Sequence, residues 1–187
     1  TYQMRKNRVK ALNGLGNIYL SIYSYDDADS VFRQALEGEH QLGSATGQAI
    51  NYANLGSIYS ARGDDEKALD YYRQSMFYNK KDSNLLGMAL CHLYFGNIYE
   101  KRQQYNLALR EYEQSDRMMT DLKDLWHALE PRLALASVYY HTHEDTKAQA
   151  LLDRADATAR QINSWEHIVE VHRLYFQLMQ RQGRYRE

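Results

Sequence analysis

Cysteine and proline occur once each in these 187 residues, the charges nearly cancel, and no long apolar run is present. A single cysteine, Cys91, excludes an internal disulfide and leaves the redox compartment open. It sits in an apolar stretch and reads as a small buried hydrophobe. No apolar run approaches the ~18 residues of a membrane span, and no secretory leader heads the chain. The first residue is Thr1 and not Met, so a longer parent is expected. Twenty-three Lys and Arg against 24 Asp and Glu give a formal charge of -1, and with it no general attraction to nucleic acid or to an anionic membrane. A phosphate-cradling glycine loop, a cysteine pair and a Ser/His/Asp grouping are all missing, so neither an enzyme nor a cofactor is expected.

What is present is a pattern that returns every 40 residues. Leu15-Gly16-x-x-Tyr19 recurs as Leu55-Gly56-x-x-Tyr59, as Phe95-Gly96-x-x-Tyr99 and as Leu135-Ala136-x-x-Tyr139. The second half of each period carries Ala28, Ala68, Ala108 or Ala148, followed four residues later by Phe32, Tyr72, Tyr112 or Leu152. Then comes a small residue, Ala35, Ser75, Ser115 or Ala155. Self-similarity at this spacing marks an array of stacked units, none of which can bury its apolar face alone.

Each period divides into two amphipathic helices. In the second, one helix is expected from near Ser44 through Ile50, Ala53, Leu55 and Tyr59, ending at Gly63, where a left-handed residue costs little. The next starts after Asp64 and buries Ala68, Leu69, Tyr72 and Met76. Ser44, Asn84, Asp124 and Ser164, spaced by 40, are the expected N-caps of the first helices. Glycine inside a helix costs about 1 kcal/mol against alanine. Gly16, Gly56 and Gly96 are therefore expected where helices approach closely, with the alanines as the opposing small surface.

The Leu-Gly-x-x-Tyr signature, the alanine, the aromatic four residues on and the small residue after it resemble the tetratricopeptide repeat over nearly the whole chain. Asn54 to Met76 is the fullest copy. The 40-residue period resembles the longer-helix subclass of G-protein-regulator adaptors and bacterial peptide-sensing regulators. The resemblance implies an all-α, right-handed superhelical solenoid of antiparallel helix pairs, about nine helices. It implies one array over 1–187, with repeats near 4–43, 44–83, 84–123 and 124–163 and a partial fifth at 164–187. Two departures stand out. Pro131 falls inside a first helix, which should either kink or begin late, leaving 124–130 as a separate turn. The last helix carries Val169, Val171, Tyr175, Phe176 and Met179 where a polar cap is expected, so self-association through it is a possible use. Gly183 should end that helix, and Tyr185 matches Tyr25 and Tyr105 at the start of a second helix.

The resemblance also implies that first helices line a concave, peptide-binding face. Carried over by position, the residue after each signature glycine faces the groove: Asn17, Ser57, Asn97, Ser137 and Gln177. Asn13, Asn54, Tyr94, Lys101, Glu130, Tyr140, His141, Arg173 and Arg181 are its neighbours. Amide side chains both donate and accept, which suits the backbone of a bound peptide. The lysine-rich carboxylate clamp of the family is not supported here. His141-Thr142-His143-Glu144 reads as a polar cluster at a helix end rather than a metal site. The implied function is a non-catalytic scaffold for a protein or peptide partner, without nucleic acid or membrane. The alternative is a ligand- or peptide-sensing segment of a larger bacterial signalling protein, a transcription regulator or sensor kinase. The cytoplasm is the favoured compartment, with the periplasm open to a sensor.

Overall fold

The computed structural model describes residues 1–183, and these are all-α, with nine helices and no strand. They are α1 (Tyr2–Ser21), α2 (Tyr25–Leu42), α3 (Ala45–Ala61), α4 (Asp65–Lys81), α5 (Leu85–Lys101), α6 (Tyr105–Asp121), α7 (Leu125–His141), α8 (Asp145–Gln161) and α9 (Trp165–Arg181). Tyr185 lies outside the described residues. The chain forms two compact units, Thr1–Cys91 and from His92 onward, with the division inside α5.

Seven of the nine helices are 17 residues long, because one hydrogen-bonded turn recurs every 20 residues. Positive φ falls at Tyr23, Gly43, Gly63, Ser83, Gln103, Lys123, His143, Asn163 and Gly183. At the end of α3 the Gly63 amide donates to Ser60 O and the Asp64 amide to Tyr59 O, the paired bonds of a Schellman motif. Asp64 then caps α4 through its own side chain, which accepts from Lys67 N at 3.2 Å. One residue thus closes a helix and opens the next. Only three of these left-handed positions are glycine; at the other six a side chain bears a cost of order 1 kcal/mol, which the two backbone bonds and the stacking of the flanking helices offset.

The expected caps hold at Ser44, Asn84 and Asp124, which accept from Gly47, Gly87 and His127 amides at 3.0, 3.1 and 3.1 Å. Ser164 departs from the expectation. Its hydroxyl pairs with the His167 ring at 2.7 Å and accepts from no backbone amide of the first turn. Pro131 does not start a helix: α7 runs from Leu125 through it, with Asp124 as cap, so the separate turn at 124–130 is not formed. Gly183 ends α9 with φ 73°.

In the first unit, Ala28 and Phe32 of α2 form one cluster with Leu55 and Ile58 of α3, all completely buried. Leu15 and Ile18 hold the same repeat positions on α1 and are exposed, because no described helix covers that face. The opposing surface for the glycines is an aromatic ring rather than an alanine. A Cβ on Gly16 would come within 2.5 Å of the Phe32 ring, one on Gly56 within 2.5 Å of Tyr72. In the second unit one on Gly96 would reach Tyr112 at 2.4 Å. Where the ring is replaced by Leu152, the small residue becomes Ala136, and both are buried. The gain from burying a ring, about 1.5 to 3 kcal/mol, exceeds the glycine cost.

Candidate functional site

The polar column has a structural duty that precedes any binding. A tyrosine laid over a helix glycine carries its hydroxyl to the next residue along. In the first unit Ser57 Oγ lies 3.4 Å from the Tyr72 hydroxyl and donates to Ala53 O. In the second, the Tyr112 hydroxyl is 2.8 Å from Asn97 Oδ1 and 2.6 Å from Glu100 Oε2. Burial, reinforced by this bond to a carboxylate, holds Tyr112 above the ordinary tyrosine range. Ser137 has no tyrosine, since residue 152 is leucine, and it donates instead to Glu100 Oε1 at 2.9 Å. Glu100 is therefore fixed from both sides, by α6 and by α7.

Around that carboxylate the second unit holds a cavity of about 890 Å³ between α5, α7 and α9. This is within the range of small-ligand sites, about 300 to 1,000 Å³. Its polar lining includes Asn97, Ser137, Glu100 and Glu130; Leu93, Tyr94 and Leu133 supply apolar wall. From α9 come Trp165, Glu166, Val169, Glu170 and Arg173. Trp165 and Val169 are 74% and 68% exposed, so two large apolar side chains face solvent at the rim. Arg173 forks onto Glu170, and this bond holds the Glu170 carboxyl below its usual range. Ser164 orients His167 below the rim, with the Trp126 ring edge-on to it at 5.2 Å.

Of the fourteen residues expected along the groove, Tyr94, Asn97, Glu130, Ser137 and Arg173 line this cavity. Tyr140, His141, Lys101 and Gln177 do not. The Arg181 guanidinium sits 3.9 Å over the Tyr140 ring and bonds Asp145, so Tyr140 is half-covered by its neighbour. His141 stacks on Tyr105 at 6.1 Å, and His143 and Glu144 form the turn into α8. Among the described residues no group of three or more His, Cys, Asp or Glu is placed to hold a metal ion. Asn13, Asn17, Asn54 and Ser57 belong to the first unit. There Asn17 is exposed, Asn13 and Asn54 are half-buried, and Asn13 Oδ1 is enclosed without a hydrogen-bond partner. Apart from Arg173, the α9 contribution was missed in the sequence, because Trp165, Glu166 and Glu170 lie off the column position. A signal existed in Trp165, one of only two tryptophans.

Cys91 is buried as expected; its thiol donates to Ser75 and lies 3.6 Å from Asn79 Nδ2, and burial raises its pKa. No described helix is long and apolar enough to cross a membrane.

Residues 7–76 match the family model described as Tetratricopeptide repeat. No curated protein sequence matches the chain. Among similar structures, BtubC (BKLC) from P. vanneervenii has a TM-score of 0.79 at 14% identity, covering 98% of this chain and 84% of that one. A putative kinesin light chain with TPR-like repeats from Podospora anserina has 0.72 at 17%, covering 94% and 87%. The apo form of RapI has 0.80 at 13%, and a Rap protein complexed with Competence and Sporulation Factor has 0.62 at 18%. The chain covers 52% and 54% of those two and 95% and 96% of itself is matched. At these identities the likeness is one of fold, an all-α repeat fold of tetratricopeptide type.

Proposed function

We propose that this chain is a non-catalytic interaction module that holds a peptide segment of a partner in the cavity between α5, α7 and α9. The fold commonly mediates contact between proteins, and it presents side chains from three successive first helices to one space. The observation that carries the reading is the cavity itself. Its amide and hydroxyl groups, Asn97 and Ser137, sit beside the apolar wall of Leu93, Leu133 and Val169. Apolar surface supplies affinity, and a few placed polar groups orient the backbone of the ligand. The fold likeness to a Rap protein complexed with Competence and Sporulation Factor supports a second reading, a ligand-sensing segment of a larger regulator. Both readings use the same cavity.

Decapeptides selected from a random display library against this chain provide the test. Val169 is exposed and lines the cavity, so Val169→Arg should cost the selected peptides at least tenfold in affinity, whereas Ser30→Arg on α2 should leave them unchanged. Peptides indifferent to Val169→Arg would overturn the assignment.

A further inference from the structure

The cavity is acidic, although the chain as a whole is nearly neutral. Glu100, Glu130, Glu166 and Glu170 face Arg173 alone among the lining Lys and Arg. Glu170 is neutralised by Arg173, and Glu100 is engaged by Tyr112 and Ser137. Glu130 and Glu166 are both exposed and make no hydrogen bond or ion pair with the described residues. Each stands beside apolar surface, Glu130 with Leu133 and Glu166 with Trp165 and Val169. Carboxylates alone would attract any cation. Carboxylates set among leucines and aromatic rings favour a cation on a long apolar stem, because such a stem buries while its head stays paired. Rings of Trp and Tyr add cation–π attraction, worth ~0.5–1 kcal/mol at exposed sites.

Resting on the peptide-binding reading above, we infer that the occupant is a basic peptide segment. It places an arginine or lysine against Glu130 and Glu166 and an apolar neighbour against Leu133 and Val169. Charge complementarity selects this partner over an acidic peptide: the four carboxylates outnumber the single guanidinium, so an acidic residue would enter against repulsion.

Three blocked decapeptides, identical except for a central Arg, Gln or Glu pair flanked by Leu and Trp, distinguish the possibilities by fluorescence anisotropy. The Arg peptide should bind at least tenfold more tightly than the Gln peptide, with the preference shrinking as salt rises. The Glu peptide should be weakest. In Glu130→Gln/Glu166→Gln, which alters only exposed side chains, the Arg preference should fall to within twofold while the Gln peptide binds as before. Equal binding of Arg and Gln peptides would overturn this inference and leave the peptide reading standing. Failure of all three to bind would overturn both. Concentration-dependent assembly of the chain, abolished by the same double substitution, would give the site to α1 of a second copy, with its Arg5, Lys6, Arg8 and Lys10, and would also overturn the inference.

Discussion

Two positions 80 residues apart hold the same place in the repeat and are filled by opposite chemistry. In the first unit Tyr52 of α3 stacks on Tyr78 at 5.5 Å and lies 6.3 Å from Tyr71, a ladder of half-buried rings. In the second unit the counterpart of Tyr52 is Arg132 of α7, only 5% exposed. It pairs with Asp116 at 2.7 Å, and its other terminal nitrogen is 3.4 Å from Thr158 Oγ1. Asp116 and Thr158 are the counterparts of Leu36 and Tyr78. The repeat therefore dictates which positions meet; it leaves open whether they meet as rings or as ions. An ionic solution also couples the partners more tightly, since either one left alone is a buried charge or a void.

The largest effect expected from this contrast follows from unpairing Arg132. Asp116→Ala should cost about 3–5 kcal/mol, read by urea denaturation. Replacing the pair by the first unit's residues, Asp116→Leu with Arg132→Tyr, should recover most of that loss. If the double variant is as unstable as the single one, the two sites are not equivalent in packing.

The next effect concerns Gly56 with Tyr72 against Ala136 with Leu152. Gly56→Leu drives a side chain into a buried ring and should cost about 3 kcal/mol, lowering the melting temperature by roughly 6–12 °C. In the second unit Leu152→Tyr should destabilise alone and be relieved by Ala136→Gly. A coupling below ~0.5 kcal/mol in that cycle would separate the small residue from the ring. Smaller again is the turn comparison. Gly63→Ala should cost about 1 kcal/mol, because φ there is 82°, while His143→Gly at φ 61° should be close to neutral. Calorimetry of the two variants checks both.

The smallest effect is acid sensitivity confined to one cap. Ser44 does not titrate; its counterpart Asp124 does. Burial works to raise the Asp124 carboxyl, but hydrogen bonds from the His127 backbone and ring outweigh it and hold its pKa below the usual range. Its contribution is thus fully present above the unfolded value, about 3.9, and is lost as pH falls through the folded value. Amide exchange in the first turn of α7 should accelerate relative to that of α3 as pH falls below about 4, and Asp124→Ser should remove the difference.

Much of this contrast was legible beforehand and part was not. The helix pairs, the small residues and three first-helix caps follow from local chemistry repeated at a fixed spacing. Arg132 could not be read as buried, because its column runs Leu12, Tyr52, His92, Arg132 and shows no common polarity. Left-handed Tyr23, Gln103 and Lys123 were equally silent, since their backbone is imposed by neighbouring helices and not by their own preference. For the candidate site, position along the first helix identified the α5 and α7 side chains. Trp165 and Glu166 enter from the opening turn of α9, a location that only packing defines.

The shared cap-and-close residue imposes a reading frame on the chain. Left-handed positions at 63, 83 and 103 mean that excising residues 64–103 joins the end of a first helix to the start of a second helix, and every later side chain keeps its facing. Excising residues 64–83 joins a first helix to a first helix and turns each later buried stripe to the wrong partner. Changes in length are thereby counted in whole periods.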